Sequence, residues 1–320
     1  MKRIGDAETE AEQAAEAAIG AIPDWAGRAI AYAPLCPDVV SPVHRGVESA
    51  IWRVEPDGRA PAVLKVMRDD MRRFFDVDAA IAGARHAAAL GVGPEVLWAD
   101  AALGALATPL LGEGWRTATL ADLQEPAVID AALAATARLQ DGPPLAARFD
   151  VFDEIRRLDA MAREADVAPP PDGWWLLEAA RDMEAALDAA GADLAPCRND
   201  GVSSNVMVGP DGAVMLLDYD RAGMNDACYD VAALLTEACA FPSEAAAVLE
   251  RRFGRAEPAI LNRCVVLGAA DDLMNALWAA VSAATSPRRH VEFKKYSEWR
   301  YLRCRSAVGD PRFEERLRKL

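Results

Sequence analysis

The sequence predicts an α+β protein with two lobes, a small strand-rich lobe followed by a larger helical lobe. Two strand-like runs joined by a turn stand out early in the chain, at residues 44–54 and 62–66. Strands gathered at one end of a chain and helices at the other indicate this architecture. Helical periodicity covers residues 128–140, 151–165, 176–190, 228–240 and 258–284.

The two early strands form a predicted hairpin. Residues 44–54 alternate like a strand that bends around Gly46, and Glu55–Gly58 has the composition of a tight turn. Residues 62–66 form the second strand, which is apolar except for Lys65. A charged side chain inside an apolar strand needs a partner, unless Lys65 simply protects an exposed sheet edge.

Helices and a hinge complete the first lobe. Residues 6–20 are rich in alanine and glutamate, and a second helix is predicted from about Asp76 to Leu90. The apolar run that begins at Ala105 reaches Pro109 and then Gly112, which favours a hinge before the long helical patterns. The predicted lobes are residues 1–111 and residues 112–320.

The residues with the clearest chemistry lie in one short segment. Asp200 is followed five residues later by Asn205, and an apolar strand over residues 213–217 leads into Asp218. Phosphoryl transfer uses a carboxylate that accepts the proton of the attacking hydroxyl, together with an amide and a second carboxylate that hold metal ions. The order and spacing of these three side chains match that requirement. The alternative is a surface hairpin in which they are turn residues.

The segment that continues from Leu217 to Ala232 resembles the metal-binding region of the choline and ethanolamine kinase family. That family belongs to the wider aminoglycoside phosphotransferase group, and the resemblance implies a two-lobed protein-kinase-like fold with ATP in the cleft. It further implies that Asp200 is the catalytic base, that Asn205 and Asp218 bind Mg²⁺, and that Asp230 is a structural carboxylate that braces the catalytic loop.

The same resemblance assigns the hairpin to the nucleotide. The lysine of the second strand holds phosphates in kinases of this type, and here that residue is Lys65. The loop of the hairpin contains Gly46 and Ser49, which we expect to cover the phosphates. A single glycine supplies few backbone donors, so the loop by itself is a weak indication.

Two features depart from the kinase pattern. The helix from Asp76 to Leu90 lacks the glutamate that pairs with the strand lysine, and only Asp76 and Asp78 could replace it. Arg198 stands where the family has a histidine, two residues before the base. We expect Arg198 to lock the loop through a bidentate bond to Asp230 or Asp218. Both departures leave open a pseudokinase that binds nucleotide or a protein partner without turnover.

The acceptor site is predicted in the last helices. Asp271 and Trp278 lie seven residues apart on one helix face, and Tyr296 shares a face of the next helix with Arg300. The resemblance implies that aromatic and acidic side chains here surround a quaternary ammonium group, which cation–π attraction favours. Asp220 could add negative charge. In the alternative, these aromatic residues belong to the core of a helical lobe.

Charge restricts the partners. The net charge of −15 repels polyanions and attracts a cationic substrate, so we expect no nucleic-acid binding. Residues 288–320 carry 11 basic and 5 acidic side chains, which we interpret mainly as helix surface packed on an acidic body, with phosphate attraction as the alternative. No run approaches the length of a membrane span, and the acidic N-terminal segment lacks a signal-peptide core, so a cytoplasmic protein without membrane insertion is predicted.

These observations and the resemblance together predict an ATP- and Mg²⁺-dependent kinase for small molecules. The predicted reaction moves the γ-phosphoryl group to a hydroxyl of an amino alcohol similar to choline or ethanolamine. An aminoglycoside or a sugar could be the acceptor on the same machinery, since a fold does not determine a substrate. The protein is expected to be a monomer or a homodimer.

Overall fold

The computed structural model describes residues 1–40 and 44–320. Its N-terminal part is built on a six-stranded antiparallel sheet with the strand order β1-β2-β3-β4-β6-β5. Two helices accompany this sheet, α1 (Glu10–Ala21) and α2 (Val77–Ala89). The strands are β1 (Lys2–Arg3), β2 (Ile30–Pro34), β3 (Ser49–Pro56), β4 (Ala62–Met67), β5 (Trp98–Asp100) and β6 (Ala105–Pro109).

Alternation along β4 decides which way its lysine points. Leu64 and Val66 are buried in an apolar cluster that also contains Ile19 of α1 and Trp52 of β3. Successive side chains of a strand point to opposite faces, so Lys65 lies on the other face of the sheet. That face is turned toward the rest of the chain, where Lys65 finds its ionic partners.

The C-terminal part is mainly helical and is organised around one long helix, α9. Helices α5, α7 and α10 make the most extensive contacts with it. The helices are α3 (Leu120–Gln124), α4 (Pro126–Gln140), α5 (Val151–Glu164), α6 (Gly173–Ala190), α7 (Ala227–Ala238), α8 (Pro242–Phe253), α9 (Pro258–Thr285), α10 (Phe293–Val308) and α11 (Phe313–Leu317).

Helix α9 corrects the expectation that no run approaches a membrane span. It has 28 residues, and by length and apolar composition it could cross a bilayer. However, 89% of its most apolar stretch is buried inside the protein. A helix that is apolar on all sides is expected where other helices surround it, so α9 is the central core helix.

Two small sheets hold the loops that carry the chemistry. One has the strand order β10-β9-β7, and the other pairs β11 with β8. The β9–β10 register places Val206 opposite Leu216, and the β8–β11 register places Cys197 opposite Gly223. The loops after β8 and after β10 are therefore neighbours. The strands are β7 (Arg116–Thr117), β8 (Leu194–Cys197), β9 (Val206–Val208), β10 (Val214–Leu216) and β11 (Gly223–Asp226).

The α+β architecture with a strand-rich N-terminal part and a helical C-terminal part is confirmed. One element differs from its prediction, because β3 begins at Ser49 and residues 44–48 form a loop. Gly46 within this loop has φ +57°, a left-handed conformation that interrupts a strand. The boundary between residues 1–111 and 112–320 stays a prediction, although the sheet does end at Pro109.

Candidate active site

Asp200 and Asn205 meet in the loop that follows β8. The amide nitrogen of Asn205 donates to one carboxylate oxygen of Asp200 over 3.0 Å, and the backbone N–H of Val202 donates to the other over 2.7 Å. Burial raises the pKa of Asp200, while the positive charge of Arg198 acts in the opposite direction. The structure thus places the predicted base and one predicted metal ligand in direct contact.

Asp218 follows β10 and faces the lysine of β4. The Lys65 ammonium nitrogen lies 2.8 Å from Asp218 Oδ1 and 2.7 Å from Asp220 Oδ1. Burial acts to raise the pKa of Asp218, but the adjacent Lys65 outweighs it and the pKa is lowered. Asp218 also adopts φ +62°, a conformation that is uncommon outside glycine and that the surrounding contacts must hold.

Asp220 is the second carboxylate that pairs with Lys65. Asp220 Oδ2 is buried and makes no hydrogen bond within the described part of the chain. Burial, followed by the charge of Asp218, raises the pKa of Asp220 to about 7. Carboxylate and amide oxygens are the ligands that Mg²⁺ prefers, so the side chains of Asp218, Asn205 and Asp220 are chemically suited to that ion. Because its other oxygen contacts Lys65, this predicted acceptor residue lies beside the predicted phosphate-binding lysine.

Asp230 braces the catalytic loop from the first turn of α7. Its carboxylate accepts the backbone N–H of Arg198 over 2.9 Å and that of Asn199 over 2.7 Å. These bonds hold Asn199 at φ +60°, immediately before the predicted base Asp200. Burial raises the pKa of Asp230 to about 6, against the opposing charge of Arg198.

Arg198 locks the loop in a different way from the one predicted. Its guanidinium group donates to the backbone carbonyl oxygens of Asn205 at 3.0 Å, Leu217 at 2.9 Å and Asp200 at 2.6 Å. The predicted bidentate bond to Asp230 or Asp218 is wrong. A planar donor group fits three converging carbonyl groups, and it thereby joins the two loops that carry the predicted metal ligands.

The possible pairing of Lys65 with Asp76 or Asp78 of α2 is not observed. Asp76 is the N-cap of α2, where its side chain accepts the backbone N–H of Ala79 over 3.1 Å. Asp78 lies in the first turn of the helix, and Lys65 pairs instead with the carboxylates after β10. Helix α2 approaches those carboxylates through Gly83, where an added Cβ would lie 2.2 Å from the Cβ of Ala222.

The predicted nucleotide loop lies next to this cluster. Ser49 is 2% exposed, and its hydroxyl has no hydrogen-bond partner among the described residues. Arg68 donates to the carbonyl of Gly46 over 3.4 Å, which ties the loop to the end of β4. An unpartnered buried hydroxyl beside Lys65 is consistent with a role in phosphate binding, which stays a prediction.

The four predicted acceptor residues do not form one group. Asp271 on α9 accepts the phenolic O–H of Tyr229 over 2.8 Å and lies 3.5 Å from Arg300. Trp278 is 1% exposed and Tyr296 is 6% exposed, and their rings are perpendicular with centroids 6.2 Å apart. Asp220 forms an ion pair with Lys65, as described above. The structure brings Trp278 and Tyr296 together, but Asp271 is committed to other partners.

Three partly buried ionisable residues of the site escaped the sequence prediction. The Nε2 of His44 lies 2.7 Å from Glu48 Oε1, and burial lowers the pKa of His44 less than this carboxylate raises it, so the net shift is upward. Arg221 donates to the side chain of Asn275 over 3.1 Å. His44 and Glu48 flank Gly46, and Arg221 directly follows Asp220. Their positions next to predicted site residues were the feature of the sequence that could have identified them.

The basic C-terminal segment packs on the acidic body, as the sequence analysis favoured. Arg300 and Arg303 both pair with Asp272, at 2.8 and 3.2 Å. Arg305 forms a hydrogen-bonded ion pair with Asp172. These basic residues therefore hold α10 against α9 and α6.

Comparison with known proteins adds an independent finding. The family model described as the phosphotransferase enzyme family matches residues 39–261, which is more than half of the chain. No curated protein matches the sequence significantly. The matched region contains the lysine of β4 and both loops of the candidate site.

Solved structures share the fold over nearly the whole chain. A choline/ethanolamine kinase family protein from Mesorhizobium loti aligns with a TM-score of 0.78 and 23% identity, covering 97% of this chain and 98% of that one. Choline kinase LicA from Streptococcus pneumoniae aligns with a TM-score of 0.73 and 16% identity, covering 94% and 99%. Aminoglycoside phosphotransferase APH(4)-Ia gives 0.65 and 17%, covering 94% and 99%.

At these identities the solved structures establish a kinase-like fold and leave the acceptor open. The family model supplies the remaining step, because it spans the β4 lysine, the catalytic loop and the metal-binding loop in one match. The chain belongs to the phosphotransferase enzyme family.

Proposed function

We propose that this protein transfers the γ-phosphoryl group of ATP, with Mg²⁺, to a hydroxyl of a small amino alcohol similar to choline or ethanolamine. One observation carries the proposal. One half-buried region contains the Asp200–Asn205 pair and the ion pairs of Lys65 with Asp218 and Asp220, although Lys65 comes from a distant part of the chain. A phosphoryl-transfer site needs these groups together.

Each side chain has a defined task in this reaction. Asp200 accepts the proton of the attacking hydroxyl and orients that hydroxyl. Lys65 exchanges its two carboxylate partners for phosphate oxygens, and Asn205 and Asp218 are the residues that would hold Mg²⁺. When bound, the metal neutralises charge on the phosphates. Arg198 and Asp230 keep the base-bearing loop in place, which supplies the positioning on which this chemistry depends.

Arg198 bears on the pseudokinase alternative. Within the described part of the chain, the hydrogen bonds of its guanidinium group all go to backbone carbonyl groups, and the carboxylate oxygens of Asp200 accept from the Val202 N–H and the Asn205 amide. The substitution of the family histidine therefore leaves the base unblocked. This geometry supports an active enzyme.

The choice of acceptor has weaker support. The net charge of −15 favours a cationic substrate, and Trp278 and Tyr296 offer aromatic surfaces for an ammonium group. Two of the structural neighbours are described as choline kinase or choline/ethanolamine kinase family proteins, and LicA has been solved in complex with AMP. Use of ATP is also consistent with the predicted cytoplasmic location, where ATP is available.

The test is ADP release from ATP and Mg²⁺ across a panel of amino alcohols, aminoglycosides and sugars. We expect turnover with choline or ethanolamine and little with the neutral analogue in which carbon replaces the quaternary nitrogen. A preference for an aminoglycoside or a sugar would move the acceptor to the alternative class. The absence of turnover with every acceptor, at intact Mg²⁺-dependent nucleotide binding, would support the pseudokinase alternative.

A further inference from the structure

A histidine from the loop between β2 and β3 lies in the aromatic corner of the candidate acceptor site. The ring centroid of His44 is 5.7 Å from that of Trp278 and 5.3 Å from that of Tyr296. Those two rings stand at 89° to each other, so they form two walls of a corner. An imidazole from the N-terminal part of the chain fills the corner.

Two contacts hold His44 there. Its Nε2 meets Glu48 Oε1 at 2.7 Å, and both side chains are mostly buried, at 12% and 14% exposure. The hydroxyl of Ser204, next to the predicted metal ligand Asn205, donates to the backbone carbonyl of His44. The corner therefore lies beside the catalytic loop, where one end of an acceptor could reach Asp200 while its other end occupied the corner.

The polar atoms of the corner are incompletely satisfied. His44 Nδ1 and Trp278 Nε1 are both buried, and neither has a hydrogen-bond partner among the described residues. Buried polar atoms without partners are uncommon in native proteins and often mark a site where a ligand or water binds. These two unpartnered polar atoms distinguish the corner from an ordinary part of the hydrophobic core.

Glu48 differs from the other carboxylates that the acceptor could use. Asp271 is held by Tyr229 and Arg300, and Asp220 is held by Lys65. The partner of Glu48 is a histidine in its own loop, four residues earlier. The His44 side chain can leave without breaking the ion pairs of Asp271 or Lys65.

We propose that Glu48 is the carboxylate that recognises the ammonium group of the acceptor, and that His44 occupies the place of that ammonium group on Trp278 and Tyr296 until the acceptor displaces it. The inference rests on the proposed function for the class of acceptor. An ammonium group would gain the Trp278 ring by cation–π attraction and the carboxylate as its counter-ion, and it would share the Tyr296 ring with Arg300, whose guanidinium carbon lies 5.1 Å from the ring centroid. Displacement of His44 lowers the apparent affinity, because only the fraction of molecules with an open corner can bind.

The experiment measures binding and does not depend on turnover. Tetramethylammonium is titrated into the nucleotide-free protein by calorimetry, for the wild type, His44→Gln and the double variant His44→Gln/Glu48→Gln. We expect His44→Gln to bind about threefold or more tightly than the wild type, since an uncharged, flexible amide leaves the corner more readily than the imidazole does. The double variant should then lose about tenfold or more, because it lacks the carboxylate.

Matched controls come from the same regions. His290→Ala removes an exposed histidine that pairs with Asp38, and Glu55→Gln neutralises a carboxylate of β3 that pairs with Arg53. Neither change should alter the affinity for tetramethylammonium. A neutral alcohol with a tert-butyl group serves as a second ligand, and the loss of Glu48 should leave its affinity unchanged. Thermal melting confirms that each variant is folded, and His44→Ala replaces His44→Gln if the latter is not.

The outcomes separate this inference from the proposed function. Equal or weaker cation binding by a folded His44 variant would overturn the displacement, and undiminished binding by the double variant would overturn the role of Glu48. If the cation binds as expected but no amino alcohol is phosphorylated, the corner is a cation site and the proposed reaction is wrong. If amino alcohols are phosphorylated without these effects, the reaction stands and the ammonium group is recognised elsewhere.

Discussion

At the scale of single residues, the contact between Asp200 and Asn205 separates two roles that a mutation can distinguish. In the proposed reaction Asp200 accepts the proton of the acceptor, whereas Asp218, which pairs with Lys65, binds the metal of the nucleotide complex. We expect Asp200→Asn to reduce kcat by about 100-fold or more, while the affinity for Mg²⁺-ATP stays within a few-fold. Steady-state kinetics and nucleotide titration measure both quantities.

The controls for this prediction use two other aspartates. Asp211→Asn changes an aspartate at the tip of the β9–β10 hairpin and should leave kcat unaffected. Asp218→Asn should weaken metal-dependent nucleotide binding itself. Full turnover by Asp200→Asn would show that the base is another residue.

Arg198 provides a second prediction at this scale. Arg198→Ala leaves three carbonyl groups without their charged donor, so we expect the free energy of unfolding to fall by about 3 kcal/mol or more, together with a loss of rate. Arg163→Ala, which removes an exposed i,i+4 ion pair with Asp159, should change it by at most about 0.5 kcal/mol. Urea unfolding and kcat measure the two effects. Unchanged stability would contradict the lock, and a gain of activity in Arg198→His from an inactive wild type would indicate a pseudokinase.

Asp230 gives a prediction for pH dependence. Its pKa in the folded protein, about 6, lies above that of an unfolded aspartate, so the native state binds the proton more tightly. The resulting stabilisation is complete below the unfolded pKa and is lost as the pH rises through the folded one. Relative to Asp230→Asn, the wild type should therefore lose up to about 3 kcal/mol of unfolding free energy between about pH 4 and pH 7. Urea unfolding at several pH values measures the difference, and a constant difference would contradict the raised pKa.

At the scale of elements, helix α2 supports the metal-binding loop by close packing. Gly83→Ala would place a methyl group 2.2 Å from the Cβ of Ala222, so the helix or the loop must move. We expect a loss of about 1–3 kcal/mol in stability and a higher KM for ATP. Gly20→Ala in α1 has open space and should gain up to about 1 kcal/mol, as alanine is the better helix former. Thermal unfolding measures the change in stability, and steady-state kinetics measures the KM for ATP. A Gly83→Ala variant that is more stable than the wild type and has a normal KM would contradict close packing of α2 against the loop.

At the scale of the whole molecule, the candidate site depends on both parts of the chain. Lys65 from the N-terminal sheet pairs with carboxylates more than 150 residues later in the sequence. Arg288, just after α9, pairs with Asp38 and Asp70 of the N-terminal part. A ligand that contacts both parts should therefore stabilise the protein as a whole.

This gives the last prediction. Mg²⁺ with a non-hydrolysable ATP analogue, at about 100 times its Kd, should raise the free energy of unfolding by about 2.7 kcal/mol. The melting temperature should rise with the analogue plus Mg²⁺ and much less with the analogue plus EDTA. Asp218→Asn should remove the part that depends on Mg²⁺. An equal shift with and without the metal would contradict the assignment of Asp218.

The sequence by itself determined the elements and the chemistry of the catalytic loops. The sequence predicted a helix over residues 258–284, and α9 ends one residue later, because a long run of mostly apolar helix-forming residues marks such an element. The spacing of Asp200, Asn205 and Asp218 was also readable, because all three lie within 19 consecutive residues of one hairpin.

Only the tertiary structure decided the partners of the charged residues. Lys65 pairs with Asp218 and Asp220 because the pleat of β4 turns its side chain away from the apolar cluster of the sheet. Asp76 instead caps a helix. The contact of His44 with Trp278 joins residues more than 200 positions apart, and no local pattern specifies it. Periodicity and spacing act over a few residues, whereas ion pairs and ring contacts depend on how distant elements pack. For that reason the candidate reacting groups could be proposed from the sequence, and their surroundings could not.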